Sequence, residues 1–224
     1  MASEGLKLYS YWRSSASYRV RIALNLKGLA YDLVPVNLVN GEGDQHTPEY
    51  AMLNPQELVP LLVDGERIVR QSQAIIEYLD DTYDGEAKLL PAIARDRARV
   101  RAIAQAIACD IHPLNNTRVM RYLERELNVP QIDRERWTRH WITVGFRAIE
   151  ALLADSPSTG IHCEGDEPTL ADIFLVPQVY NAARWSVDMT PFPIIRRINA
   201  SCLTLEQFDR ARPENQPDAP APDK

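Results

Sequence analysis

Ser14, Ser15 and Ser17 stand where a short apolar stretch, residues 6–9, gives way to an apolar helical pattern over residues 15–26. The intervening segment reads Ser10-Tyr11-Trp12-Arg13-Ser14-Ser15-Ala16-Ser17 and runs on into Tyr18-Arg19-Val20-Arg21-Ile22-Ala23-Leu24. A strand-to-helix turn leaves the first backbone N–H groups of the helix without intrahelical partners, at the positive end of the helix dipole. It therefore favours an anion, to which a serine hydroxyl can donate one more hydrogen bond. If that anion is the sulfur of a bound thiol, the thiol pKa falls and a nucleophile exists at neutral pH. An ordinary serine N-cap accounts for the same residues, so the turn acquires chemical meaning only from its neighbours.

Two further motifs bear on it. Leu58-Val59-Pro60-Leu61-Leu62 puts a proline at the entry to a strand. Proline cannot donate to a ladder, so the position marks an edge or a bend. With a cis Val59–Pro60 bond, the Val59 N–H and C=O would face away from the sheet, open to an extended peptide. Gln71-Ser72 opens another helix and so forms a second anion-favouring N-terminus, suited to a carboxylate. Strand punctuation explains Pro60 alone, and an N-cap explains Ser72 alone.

The elements that must hold these residues follow from local pattern. Residues 6–9 read as a strand, 15–26 as a helix and 30–37 as a second strand. Residues 39–50 are polar and turn-rich and read as a mobile loop. Residues 61–63 and 67–69 flank Asp64-Gly65, a hairpin signal. Ser72 starts a helix with Ile75, Ile76, Leu79 and Tyr83 on one face. The order is β-α-β, then β-β-α. From there on the pattern is helical. Val100, Ile103, Ala104, Ile107 and Ile111 recur at helical spacing up to Pro113, which kinks or ends that helix. Trp137, Trp141, Val144 and Ala148 mark the next. Thr169-Leu170-Ala171-Asp172 has capping-box spacing before an apolar run with Pro177 inside it. Pro191 fits the first turn of a further helix. The chain thus divides into an α/β domain at 1–84, a linker at 85–91, an all-helical domain at 92–212 and a proline-rich flexible tail at 213–224.

Composition narrows the field. The chain has 224 residues, 45% hydrophobic and 25% charged, as a folded globular protein does. No apolar run approaches the roughly eighteen residues that span a bilayer, and Met1-Ala2-Ser3-Glu4-Gly5 has no basic stretch followed by a long apolar core, so a signal peptide is not expected. The net charge of −6 argues against nucleic acid as a partner. Cys109, Cys163 and Cys202 form no metal-binding or CxxC pattern, which suits a reduced, cytoplasmic setting. Cys109 and Cys202 read as core residues.

Taken together, the three motifs resemble the glutathione transferases, and within them the zeta class. The order of a small α/β domain followed by an all-helical one is that of the thioredoxin-like glutathione transferase fold. The stretch from Ser14 to Leu24 resembles the zeta signature. So do Leu53-Asn54-Pro55, Val59-Pro60, Gln71-Ser72-Gln73-Ala74-Ile75-Ile76-Glu77-Tyr78-Leu79 and Leu89-Leu90-Pro91. Gly165-Asp166-Glu167, Thr169-Leu170-Ala171-Asp172, Leu175-Val176-Pro177-Gln178 and the segment Val187 to Pro193 carry the likeness through the second half. One departure stands out: where the signature usually has Ser-Ser-Cys, this chain has Ser14-Ser15-Ala16. A mechanism that needs a protein thiol there is in doubt; the serine role is not.

The resemblance implies a glutathione-dependent cis–trans isomerase of a maleyl keto acid, maleylacetoacetate, in aromatic catabolism. Maleylpyruvate isomerisation, or glutathione transfer to α-halo acids, are alternatives on the same fold. A non-catalytic binding module is a more distant one. Carried over by motif, Ser14 would hold the glutathione thiolate, with Ser15 and the helix dipole assisting. Val59, before Pro60, would pair with the glutathione backbone. Gln71 and Ser72 would take its γ-glutamyl end, and Gln45 its glycyl end. Arg13, beside the serine, and Arg184 would hold the dicarboxylate substrate. His112, Asn116 and Arg118 occur together as in the bacterial maleylpyruvate isomerases; His112 and Asn116 would face glutathione, and Arg118 the substrate. The resemblance also implies a homodimer.

Overall fold

A computed structural model describes residues 5–84 and 87–221. Met1 to Glu4, the start of the linker at Gly85 and Glu86, and the last three residues lie outside the described residues. The chain falls into two compact units, Met1–Leu89 joined by Leu205–Lys224, and Leu90–Thr204.

In the first unit, strands β1 (Leu6–Ser10), β2 (Tyr31–Pro35), β3 (Leu61–Asp64) and β4 (Arg67–Arg70) form one sheet in the order β2-β1-β3-β4. β1 runs parallel to β2 and antiparallel to β3, and β3 is antiparallel to β4. The mixed pattern follows from the connections. A parallel pair needs a crossover, and α1 (Ser15–Leu26) supplies it. The β3–β4 hairpin closes with Asp64 opposite Arg67, so its two turn residues are Gly65 and Glu66. α2 (Pro48–Leu53) and α3 (Ser72–Thr82) complete the α/β portion.

α1 begins at the Ser14 N-cap and is buried along most of its length, Tyr18, Val20, Ile22, Ala23 and Leu24 included. It ends at Leu26 with Lys27 as its C-cap, and Gly28 follows with a φ of +64° that suits glycine best. Leu29 N–H donates to Leu24 C=O and Gly28 N–H to Asn25 C=O, the paired bonds of a Schellman cap. Two arginines interrupt the apolar face, Arg19 and Arg21, both almost fully buried. Arg21 reaches the Ser10 hydroxyl and the carbonyls of Trp12 and Ala211.

The second unit is helical: α4 (Ala94–Gln105), α5 (Thr117–Arg125), α6 (Gln131–Ala154), α7 (Leu170–Arg184) and α8 (Pro193–Cys202). α7 is its axis. Every residue from Leu170 to Gln178 is buried, as expected for a helix that is apolar all round. The capping box forms as its sequence suggests: the Asp172 carboxylate accepts from the Thr169 N–H and hydroxyl, and also from the Cys163 N–H. Among the described residues no helix is long and apolar enough to cross a membrane.

Several expectations need correction. The stretch 39–50 is not a structureless loop: Asn37 and Asp44 bond each other, a 3-10 turn spans Asp44–His46, and α2 starts at Pro48 with Thr47 as its cap. The buried stripe of α6 is Thr138, Ile142, Phe146, Ile149 and Leu153, displaced by about one position from the stripe expected; Trp137 and Val144 are exposed. Pro193 takes the first turn of α8, a place expected for Pro191. Cys109 is exposed, whereas Cys163 and Cys202 are in the core. The second compact unit ends at Thr204 rather than at residue 212, and the described part of the expected tail, 213–221, folds back by hydrogen bonds and buried side chains. α9 (Glu206–Arg210) packs on α1, Phe208 and Ala211 are buried, and Gln216 binds back to the carbonyls of Arg210 and Arg212. Arg21 and Asn25 of α1 supply the bonds that retain this segment.

A buried ion pair ties α1 to α3. Lys27, its side chain fully enclosed, contacts the Asp80 carboxylate at 3.2 Å and the Ala87 carbonyl at 3.0 Å, and Asp80 also accepts from the Leu89 N–H. Removing one partner strands the other charge out of water. Asp80→Ala is expected to lower the unfolding free energy by about 3–5 kcal/mol, read from the denaturant midpoint; a loss below about 1 kcal/mol, the range of surface pairs, would contradict the burial argument.

Candidate active site

Ser14 sits half-buried at the N-terminus of α1. Its N–H donates to the Tyr11 carbonyl at 2.9 Å, its C=O accepts the first helical bond from Tyr18, and its Oγ accepts from the Ser17 N–H at 3.2 Å. This division matters chemically. A hydroxyl has one proton to give, and with Oγ occupied as an acceptor, the Ser14 O–H is committed to nothing among the described residues. The N–H groups of Ser15 and Ala16, in the first turn of the helix, likewise have no backbone partner there. Three donors thus converge at the positive end of a twelve-residue helix. Arg13 lies beside them, its guanidinium 5.4 Å from the centre of the Trp12 ring, and Trp12 packs edge-on against Tyr11.

The Val59–Pro60 bond is cis. Val59 belongs to a small cluster with Tyr11, Val36 and Tyr50, against which Tyr9, Trp12 and Leu38 pack. Its backbone N–H and C=O form no hydrogen bond among the described residues. The carbonyl before it is doubly held: Leu58 accepts from the Tyr50 hydroxyl at 2.6 Å and the Asn54 amide at 2.7 Å. Tyr50 lies in α2 and Asn54 caps its end, so that short helix is what positions Val59.

Gln71 caps α3 with φ of 71°, in a region that a β-carbon disfavours. Its side-chain amide donates to Gln56. Ser72, at the first position of α3, is buried and accepts from Arg19 of α1 at 3.2 Å. That bond ties the start of α3 to the first turns of α1. Gln45 lies in the 3-10 turn and is buried, with its Oε1 lacking a partner among the described residues. It folds over Gly43, where a β-carbon would collide with the Gln45 amide.

The other expected residues lie in the second unit. α4 widens into a π-turn at Ala106–Ile111, and a 3-10 turn follows at His112–Asn115. The widening begins ahead of Pro113, whose ring and missing N–H disrupt the turn preceding it. Asn116 caps α5 through the Arg118 N–H, and its amide nitrogen lies 3.5 Å from His112 Nε2. Arg118 is exposed in the first turn of α5, and Arg184 is exposed in the last turn of α7. His112, Asn116 and Arg118 are thus brought together, whereas Arg184 stands on a separate helix.

Asn115, Gln178 and Asn181, to which no motif assigns a role, hold these in place. Asn115 donates to Asn181 at 3.2 Å, and Gln178 donates to the same oxygen at 3.4 Å. This buried amide ladder joins the His112 turn to α7. Its signal in the sequence is the presence of polar side chains inside the apolar run of α7, just as Arg19 and Arg21 interrupt α1.

The first unit matches the family model for the glutathione S-transferase N-terminal domain over residues 8–87. Over the whole chain, the maleylacetoacetate isomerase of Rhizobium meliloti is 50% identical, across 96% of this chain and 98% of that one. A holo maleylpyruvate isomerase, described as a bacterial zeta-class glutathione transferase, matches with a TM-score of 0.92 and 48% identity, covering 96% of this chain and 100% of that one. The maleylacetoacetate isomerase of Methylobacterium extorquens AM1, with bound malonate and glutathione, also matches with a TM-score of 0.92, at 40% identity over 96% of this chain and 100% of that one. The fold is that of a glutathione transferase. Within that fold, the chain belongs to the zeta-class family of maleylacetoacetate and maleylpyruvate isomerases.

Burial pushes the Tyr50 hydroxyl up to about 12, against an opposing hydrogen bond with Asn54. Tyr83 is also raised to about 12, by burial and by its bond to Asp64. Both tyrosines are neutral in folded and unfolded chains below about pH 10, so their contribution is fully present there. Above that, the unfolded chain ionises first, and stability declines as pH rises toward about 12. Denaturation midpoints across this range should fall, and Tyr50→Phe should flatten the fall; a slope unchanged in that variant would contradict the assignment.

Proposed function

We propose that this chain catalyses glutathione-dependent cis–trans isomerisation of a maleyl keto acid, with maleylacetoacetate as substrate. The observation that carries the reading is the Ser14 turn, where an uncommitted hydroxyl proton and two unpartnered N–H groups meet at a helix N-terminus. The donors fit glutathione along its length: the Ser14 turn suits a thiolate, the open backbone of Val59 a peptide, and the N-terminus of α3 a carboxylate. Gln45 would reach the glycyl end.

Bound glutathione supplies a thiolate that adds reversibly to the maleyl double bond and leaves after rotation. The chain's own residues set the conditions. Ser14 donates to the sulfur, with the Ser15 N–H and the dipole of α1 lowering the thiol pKa. Val59, before Pro60, fixes the peptide, while Gln71 and Ser72 hold the γ-glutamyl carboxylate. Arg13 offers its guanidinium to a substrate carboxylate, and Arg118 and Arg184 are the candidates from the helical unit. His112 and Asn116 would complete the glutathione side. Ala16 does not alter this scheme, because no protein thiol takes part. Pairing of two copies is part of the proposal.

Maleylpyruvate is the second reading, favoured by the His112–Asn116–Arg118 group and by the maleylpyruvate isomerase among the similar structures. The deciding experiment offers each maleyl acid with catalytic glutathione and follows both substrate and free thiol. Loss of the cis acid with thiol conserved is expected, and the rate ratio names the substrate. Thiol consumed stoichiometrically against a chloroacetate would instead mean conjugation. Ser14→Ala should lower kcat by about two to three orders of magnitude, the scale of one lost preorganised donor; near-normal turnover would overturn the serine's role.

A further inference from the structure

Residues 205–221 do more than cover α1. Past α9 the segment turns at Pro213–Asn215, Ala219 N–H closes onto the Gln216 carbonyl, and the chain presents Asp218 to the serine turn. Asp218 Oδ2 accepts the Trp12 N–H at 2.9 Å across 206 residues of sequence. On the other side of the same residue, the Trp12 carbonyl accepts from Arg21 at 3.0 Å. Both backbone polar groups of Trp12 are therefore held by ionisable side chains of opposite sign, and such charge-assisted bonds are stronger than neutral ones. The second oxygen of Asp218 is buried and has no partner among the described residues, so the contact with Trp12 is what anchors this carboxylate.

The consequence lies one and two residues on. Arg13 stacks on the Trp12 ring, and Ser14 follows it with its N–H on the Tyr11 carbonyl. Fixing the peptides on either side of Trp12 fixes where the guanidinium and the hydroxyl point. We propose that Asp218 is a positioning residue of the active site: by gripping the Trp12 backbone, the C-terminal segment holds Arg13 and Ser14 in working geometry. The inference rests on the reading of the Ser14 turn as the reacting centre. The role assigned to Asp218 runs through the Trp12 backbone.

The test compares Asp218→Ala, which removes the acceptor, with Asp218→Asn, which keeps an acceptor without its charge. Amide hydrogen exchange of the intact protein gives a readout independent of activity. Asp218→Ala should speed exchange across residues 11–15 and leave α3 and α7 as in the wild type. In the isomerase assay it should lower kcat/KM by roughly tenfold to a hundredfold, the effect of a small misplacement of reacting groups, with the thermal midpoint moved by little. Asp218→Asn should recover most of both. Unchanged exchange at residues 11–15 in Asp218→Ala would overturn the proposal. So would a loss in Asp218→Asn as deep as in Asp218→Ala accompanied by an equal drop in melting temperature, which marks a structural role only. Faster exchange in Asp218→Ala, beside a wild-type protein that isomerises neither maleyl acid, would leave the contact with Trp12 standing and sink the function assigned to the turn.

Discussion

The hydrogen bond from the Ser17 N–H to Ser14 Oγ decides the character of the site. As an N-cap it starts α1, and in doing so it assigns the two capacities of one hydroxyl: the lone pair serves the fold and the proton is left to the ligand. A helix N-terminus alone is a common anion trap. A capping serine with its proton uncommitted, beside open N–H groups, is a donor set prepared before any ligand arrives. Preorganised donors of this kind are how a protein stabilises negative charge most effectively. The surroundings follow from keeping this turn in place. β1 delivers it, Arg19 links α1 to the start of α3, and Arg21 and Asp218 hold Trp12 just ahead.

The buried arginines differ from the apolar core around them in what they require. A guanidinium out of water is stabilised by each donor that finds an acceptor. Arg21 finds a serine oxygen and two backbone carbonyls, one of them in the C-terminal segment. Those bonds unite stretches distant in sequence and bear on the N-terminal end of α1. The helical unit uses neutral amides for the same end: Asn115, Asn181 and Gln178 fasten the His112 turn to α7. In both units polar groups buried beneath the surface hold in register the residues proposed to face a ligand.

Local features are legible in the sequence, and distant ones are not. α1 can be read to the residue because a serine cap, an apolar face and a closing Lys27-Gly28 all point the same way. The capping box at Thr169 and the proline-limited entry to β3 are legible for similar reasons. α2 is not, because six polar-flanked residues carry no helical period, and its role of holding the Leu58 carbonyl is a tertiary one. The expected stripe on α6 is displaced because a large aromatic, Trp137, lies off the buried face. The C-terminal segment has the pattern of a tail because proline and polar residues give no core signal. It is retained instead by hydrogen bonds to α1 and to Trp12, which no local pattern announces. The candidate residues themselves emerge through motif resemblance; the positioning roles of Arg21, Asn54, Asn181 and Asp218 do not, because each depends on a tertiary hydrogen bond.

The central claim is that the Ser14 turn stabilises a thiolate. The direct measurement is a pH titration of the near-ultraviolet thiolate absorbance of glutathione bound to the wild-type protein. The donors at Ser14, Ser15 and Ala16 predict ionisation well below the value of about 8.5 typical of a free thiol. A bound thiol that ionises at or above that value would contradict the claim.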